Sequence, residues 1–451
     1  MSKTGIIFFP AFDWSLGPTH PEREERLLYT QEQLFEEGVL DLPQVKQYSP
    51  ELGSLHDVLR TQALYPDPDK HRELEPHLIA VGSSIVLARA MMNRELKNGF
   101  ALVRPPGHHS FSTVWGNRGF CTLNNEAIVV NYLRTYHGIK KVAIIDTDVH
   151  HGDGTQDIFR DDPNVLCISI HQDGRTLYPG SGFAAEKGGP NAWGTQLNIP
   201  LPPGVGDEGM LYTVENWILP RLEEFKPDFI INSAGQDNHF TDPLASMNVT
   251  AQGYAKITEL LKPDLAVLEG GYSIQGALPY VNLAIFLALA GEDYSGVVEP
   301  QKSRRKIIGG ETFKSYLSDL RQEQESAAPN WTYASGDFLP GGKWICLENH
   351  IYYDTNCFQE FRKDYIRKCG HCGGTVFMIS LNHMTAETGH LIRLPFGVCP
   401  QCRQAGYDVL EHLLKKDNLP AVRNILFQDQ EDNEIRFWNS GKEVNLHAKK
   451  D

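Results

Sequence analysis

From residue 1 to about 295 the chain alternates short apolar runs with longer amphipathic stretches. The apolar runs are "GIIFF", "GFALVRP", "KVAIIDTDV", "NVLCISIH", "TQLNIPL", "DFIINSAG" and "LAVLEGGY". Between them, 22–37, 76–97, 124–136, 208–224 and 250–261 have helical spacing, and "LPYVNLAIFLALAG" (278–291) reads as a buried helix. Runs apolar on both faces, separated by amphipathic helices, predict an α/β fold with a mainly parallel sheet covered on both sides. Several runs end in polar or glycine-rich residues. Open sheets of this kind bind ligands outside the carboxyl ends of their strands.

The pattern changes near 296. "EPQKSRRKIIGGETFKSYLSDLRQEQESAAPN" is polar and charged, so 296–340 reads as a linker containing a helix over 311–326. A second, smaller domain follows over 341–451. It holds "CGHC" (Cys369, Cys372) and "CPQC" (Cys399, Cys402), 26 residues apart.

The 451 residues suffice for these two domains, and the 41% hydrophobic and 22% charged composition is that of a water-soluble globular chain. No apolar run approaches the ~20 residues of a membrane span. The N-terminus enters strand-like sequence with no cleavage region, so a reducing, cytoplasmic location is expected and the cysteines are not read as disulfides. The net charge is −15, and 341–451 contributes 14 cationic and 14 anionic residues, so the acidity lies in the first 340. That balance argues against nucleic-acid binding and leaves a cationic substrate open.

Chemistry concentrates in "VAIIDTDVHHGDGTQ" (142–156), a strand that ends in acids and histidines. Buried carboxylates are costly unless paired or metal-bound. In an extended strand Asp146, Asp148 and His150 would share one face. Two of them can grip a metal ion, with a further ligand from Asp237 in "IINSAGQDNH"; such a set, with an open fourth position, is a catalytic rather than structural zinc site. "LVRPPGHHS" places His108 and His109 after another strand as an acid/base pair. Asp146 and Asp153 are available to orient their imidazoles. "LEGGY" places Tyr272 at a further strand end.

"RPPGHH", "GFCTLNN", "DTDVHHGDGTQ", "SAGQDNHFTDPL" and "LEGGY" resemble the signature blocks of the histone deacetylase family, within the arginase/deacetylase fold. The nearest likeness is to class II deacetylases and bacterial relatives, including acetylpolyamine amidohydrolases. "THPEREERL", "LHDVL" and "NIPLPPGVGD" match further blocks, and the resemblance covers roughly 1–295. It implies Asp148, His150 and Asp237 as zinc ligands, and His109, paired with Asp153, as general base and then acid. It makes His108, paired with Asp146, the electrostatic partner, and Tyr272 the donor to the oxyanion. Gly107, Phe120, Tyr178 and Leu244 would line the acyl-lysine tunnel. An inner potassium site would use carbonyls of Asp146, Asp148 and His150 with Ser169 and Ile170. The stretch between "GHH" and "GFC" is longer than the family pattern, and Gln236 and Asn238 replace commoner residues, which bears on acyl preference.

The implied activity is zinc-dependent removal of acetyl or other acyl groups from protein lysines or small acetylated amines. Acetylpolyamine hydrolysis alone is a narrower reading, and a weakly catalytic acyl-lysine reader or scaffold is the reading from another class. Arginase chemistry would need more acidic ligands. In the tail, the paired CxxC motifs predict four thiolates on a structural zinc ion in a small ribbon, with His371 and His383 as alternative ligands. The ribbon's balanced charge suits a protein partner, self-association or packing on the first domain.

Overall fold

The protein is described by a computed structural model covering residues 3–65, 74–303, 307–415 and 424–444. Eight strands form the first sheet: β1 (Lys3–Phe9), β2 (Val45–Tyr48), β3 (Leu96–Val103), β4 (Val142–Asp146), β5 (Val165–Gln172), β6 (Gln196–Leu201), β7 (Phe229–Ala234) and β8 (Leu265–Leu268). Their order is β2-β1-β3-β8-β7-β4-β5-β6, every pair parallel. Strands β4, β5, β6 and β8 are buried along their whole length, as runs apolar on both faces require.

Helices Leu28–Glu36, Asn125–His137, Ala251–Leu261 and Leu278–Ala290 fall where the periodicity predicts them. The one expected over 76–97 is Leu74–Met92. Arg94, at φ 61°, ends that stretch, and Leu96 already belongs to β3. Strand β2 is not legible in the sequence, because "VKQY" is a half-exposed edge strand with one buried residue.

Two predicted features take another form. The charged stretch after 296 does contain a helix, Gly310–Ser326, but Phe313, Leu317 and Leu320 are buried in the core of the first sheet's helical layer. The tail is larger than a ribbon. It is a second eight-stranded sheet: β9 (Thr332–Ala334), β10 (Trp344–Tyr353), β11 (Phe358–Arg367), β12 (Val376–Asn382), β13 (Thr388–Leu394), β14 (Asn424–Asp429), β15 (Glu434–Asn439) and β16 (Lys442–Val444). Neighbours run antiparallel except β13 and β14, which are parallel and joined through the helix Pro400–Leu414.

The two sheets share a core. Ile351, Tyr353, Phe358, Met378 and Leu391 of the second pack in one cluster with Ala101, Val103 and Ile144 of the first and with Tyr65, Val114, Trp115 and Ile158 from the segments around it. The contact is polar as well. The Trp115 Nε1–H donates to Ser380 Oγ (2.7 Å), Thr113 Oγ1 to Glu360 Oε1 (2.6 Å) and the Arg393 guanidinium to the Thr61 carbonyl (2.6 Å).

Candidate active site

Five neighbouring strands in the middle of the first sheet, β3, β8, β7, β4 and β5, deliver the predicted residues from their carboxyl ends. Strand β4 stops at Asp146, so Asp148 and His150 lie in the irregular segment beyond it, not on one strand face. Backbone N–H groups fold that segment around its own acids. Asp148 N donates to Asp146 Oδ1 (3.0 Å), His150 N to Asp148 Oδ1 (2.8 Å) and Val149 N to Asp237 Oδ1 (2.9 Å).

Asp148, His150 and Asp237 are buried, with one ligand atom from each lying within 4.8 Å of the others. His150 Nδ1 lies 3.0 Å from Asp148 Oδ1 and 3.1 Å from Asp237 Oδ2. The chain leaves room for this cluster. A Cβ at Gly270 would fall 2.2 Å from Asp237 Oδ2 and 2.5 Å from Asp148 Oδ2. Two carboxylates and an imidazole, buried and convergent, fit a zinc ion and leave a coordination position open. Burial raises the pKa of Asp237, and the Asp148 charge adds to it. Burial opposes charge on Asp148 as well, but His108 and His150 hold it well below the usual carboxylate range.

Beside this cluster stand the two histidine–carboxylate pairs. His108 Nδ1 is 2.9 Å from Asp146 Oδ2 and His109 Nδ1 is 2.8 Å from Asp153 Oδ1, with the two rings 4.1 Å apart. Their environments push them in opposite directions. Burial disfavours charge on His108, but Asp148, Asp146 and Glu269 raise its pKa to about 10. Burial and the neighbouring His108 charge lower His109 to about 3, against the pull of Asp153. Separated pKa values in adjacent groups are how acid and base roles divide.

Tyr272 is buried, and its ring meets Phe120 edge-on at 5.6 Å. Burial pushes its phenol well above the usual range, which keeps it a hydrogen-bond donor. Tyr178 stands edge-on to His109 at 5.1 Å. Leu244 is tied to Tyr272 through Asp242, whose carboxylate accepts from both backbone N–H groups (2.9 and 2.7 Å). Gly107 N donates to Glu269 Oε2 (2.8 Å), and a side chain there would strike the Leu123–Asn125 backbone. Ser169 lies in register with Asp146, and its hydroxyl meets His171 Nδ1 at 2.8 Å.

Several residues of the site carried no signal of their own in the sequence. Glu22 is fully buried between Arg26 and Arg104, both 2.7 Å away, and Arg26 Nε donates to the Gly271 carbonyl (2.7 Å). That network gives "THPEREERL" its purpose: it fixes the turn carrying Tyr272. Arg118 donates to both oxygens of Asp153 (3.0 and 2.6 Å), holding that carboxyl well below its usual pKa.

Residues 20–287 match the histone deacetylase domain. The chain belongs to the histone deacetylase family. It is 44% identical over 334 residues to a protein named probable deacetylase from Archaeoglobus fulgidus, covering 68% of this chain and 91% of that one. It is 41% identical over 230 residues to the chloroplastic histone deacetylase 14 of Arabidopsis thaliana (48% and 53%) and 35% identical over 222 residues to a histone deacetylase-like amidohydrolase of Pseudomonas aeruginosa (47% and 57%). For these last two, the chain spans little more than half of the relative. The crystal structure of the HDA15 HD domain superposes with a TM-score of 0.62 at 29% identity, covering 72% of this chain and 95% of that domain. The family match ends before the second sheet begins.

That sheet holds a second cluster. The four sulfurs of Cys369, Cys372, Cys399 and Cys402 lie within 4.8 Å of one another, and Cys369 and Cys399 are 3.9 Å apart, too far for a disulfide. Gly374 N and His371 N donate to Cys372 and Cys369 (both 3.4 Å), and Arg367 donates to Cys402 (3.0 Å). The hydrogen bond from Cys402 lowers Cys372 to about 4. This donor set suits a tetrahedral zinc ion. His371 is exposed, and His383 packs edge-on to Phe361, so neither joins the group. Among the described residues no helix is long and apolar enough to cross a membrane.

Proposed function

We propose that this histone deacetylase family member is a zinc-dependent deacylase acting on acetylated lysine side chains of proteins or on small acetylated amines. The observation carrying the reading is the convergence of Asp148, His150 and Asp237 with two histidine–carboxylate pairs and Tyr272 in one buried site. Asp148, His150 and Asp237 would hold a zinc ion, which would supply Lewis-acid chemistry. His109 is neutral near pH 7, and Asp153 occupies its Nδ1. Its Nε2 therefore takes the proton of the attacking water and returns it to the departing amine. His108, held through Nδ1 on Asp146, stands beside His109 as its electrostatic partner. The Tyr272 hydroxyl donates to the oxygen on which negative charge develops. Phe120 and Tyr178 wall a channel for an alkyl stem that becomes cationic only once the acyl group leaves.

The second zinc binds Cys369, Cys372, Cys399 and Cys402 as a structural ion. The carbonyls of Asp146, Asp148 and His150 with Ser169 and Ile170 would hold a potassium ion. The catalytic unit is 1–295 with the helix Gly310–Ser326 packed on its core, and the cysteine-bearing unit is the second sheet from Thr332 onward, in a cytoplasmic protein. The test is turnover of the purified protein on acetyl-lysine peptides, N-acetylated polyamines and longer acyl-lysines, with zinc measured in parallel. Release of free amine, strongest on the peptides, with about two zinc ions per chain, supports the reading. Preference for polyamines narrows it to the small amines. Zinc-loaded protein that binds acyl-lysine without turnover overturns it in favour of a reader.

A further inference from the structure

The second sheet reaches the histidine–carboxylate pairs through the segment joining His109 to Phe120. Arg118 in this segment clamps both oxygens of Asp153, the partner of His109. Its remaining Nε donates to the Tyr352 carbonyl (3.1 Å), at the end of β10. In the hairpin after β10, Asp354 Oδ1 accepts from Gly119 N (2.8 Å), and Thr355 Oγ1 donates to Asn117 Oδ1 (2.8 Å). From the other side, buried Arg362 of β11 pairs with Asp157. Asp157 lies one turn beyond Asp153 on the helix Asp153–Phe159. The second sheet thus grips both the loop and the helix that orient His109.

The backbone here needs such a grip. Gly119 is at φ 53° and Phe120 at φ 69°, the left-handed region that a bulky residue avoids. A Cβ at Gly119 would lie 2.5 Å from the His109 ring, so loop and base are in close contact. Such conformations persist only where surrounding structure over-determines them. The Asp354 bond to Gly119 N supplies that constraint from outside the first sheet.

We propose that the second sheet is part of the active site's positioning machinery, in which Asp354 and the Tyr352 carbonyl hold Arg118 and Gly119 so that Arg118 sets Asp153 against His109 and Phe120 stands in the tunnel wall. This rests on the assignment of His109 as the base. Asp354, Tyr352 and Arg118 are positioning residues, since none touches the substrate. The tail is then no independent appendage, contrary to what the charged stretch after 296 suggests.

The test compares Asp354→Ala, Asp354→Asn, Arg118→Gln and the Asp354→Ala/Arg118→Gln pair in the full chain. Asp354→Ala should lower kcat on an acetyl-lysine peptide about 10- to 100-fold and raise KM, because small displacements of catalytic groups are costly. Asp354→Asn keeps an oxygen acceptor for Gly119 N and should restore most of both. Arg118→Gln should lower kcat with little change in KM, and the pair should lose less than the product of the single losses, as residues acting through one link do. Amide exchange of residues 115–121 should quicken in Asp354→Ala and stay slow in Asp354→Asn. Wild-type kcat, KM and exchange in Asp354→Ala would overturn the proposal. Equal losses in Asp354→Ala and Asp354→Asn, or fully additive effects, would also overturn it. If the wild-type protein turns over none of the acyl amines, the deacylase reading has failed, while the exchange comparison still decides whether the second sheet holds the loop.

Discussion

At the scale of single residues, the site works by setting neighbouring groups apart. Tyr272 is anchored by its backbone N–H on Asp242 and by Arg26 over its ring at 5.0 Å, so removing its hydroxyl should not move the ring. Tyr272→Phe is expected to lower kcat about 100-fold or more, the cost of losing one oxyanion donor. Zinc content and melting temperature should match the wild type. A second residue-level effect lies below the histidines, where Glu126 and Glu269 meet in the core. Burial, with the Asp146 charge, lifts Glu126 to about 7, and Glu269 is lifted well above its usual range. A carboxyl with a raised folded pKa binds protons that the unfolded chain releases, so stability falls as pH rises from its ordinary value through about 7. Glu126→Gln keeps an oxygen that accepts from the protonated Glu269 and removes that penalty. Thermal melting of the variant should be several degrees above wild type at about pH 8, with the gain fading toward about pH 5.

At the scale of elements, most of the first sheet was legible because its strands are buried on both faces and its helices on one. The signature residues followed, since each sits just past a strand whose apolar run is unmistakable. The helix Gly310–Ser326 is the instructive case. Its position was legible, but its role was not, because its surroundings are charged and only Phe313, Leu317 and Leu320 face inward. As a linker helix it would tolerate substitution. As a core element it should not: Phe313→Ala is expected to cost roughly 3–5 kcal/mol of stability, read by denaturant unfolding, as truncations of buried aromatics do. Strand β11 misleads in the opposite way. Its buried face reads Phe358, Glu360, Arg362, Asp364, Ile366. Three charges in alternation ordinarily mark the solvent side of a strand. Here they face inward because Thr113, Asp157 and Arg160 of the first sheet's unit meet them.

At the scale of the whole molecule, the cysteine cluster sits against the catalytic unit. Asn191 accepts from Cys369 N (2.8 Å) and donates to the Arg367 and Gly373 carbonyls (3.0 and 2.8 Å). Metal held there should therefore stabilise more than its own knuckles, because binding free energy at such sites is folding free energy. Replacing Cys372 and Cys402 with Ser is expected to reduce bound zinc from about two ions per chain to about one. It should also lower the melting temperature of the shared core and reduce small-substrate turnover. Metal analysis, melting curves and kinetics on one preparation check all three. Unchanged turnover with the tail locally unfolded would mean that the two units are mechanically independent.

The sequence by itself determined the parallel sheet, the strand ends that bear chemistry, the Asp148–His150–Asp237 set and the four cysteines. Local periodicity suffices for the sheet because its central strands are buried on both faces; the ligand set came from the resemblance to the family's signature blocks, and the cysteines from their paired spacing. Only the tertiary structure decided that β4 ends before its ligands, that Arg118 clamps Asp153, that Glu22 braces the Tyr272 turn through Arg26, and that the tail is a sheet sharing the first unit's core. Each of these depends on partners far apart in the chain: Tyr352 for Arg118, Gly271 for Arg26, Asp157 for Arg362. A buried charge satisfied by a distant partner looks, along the chain, the same as one facing water.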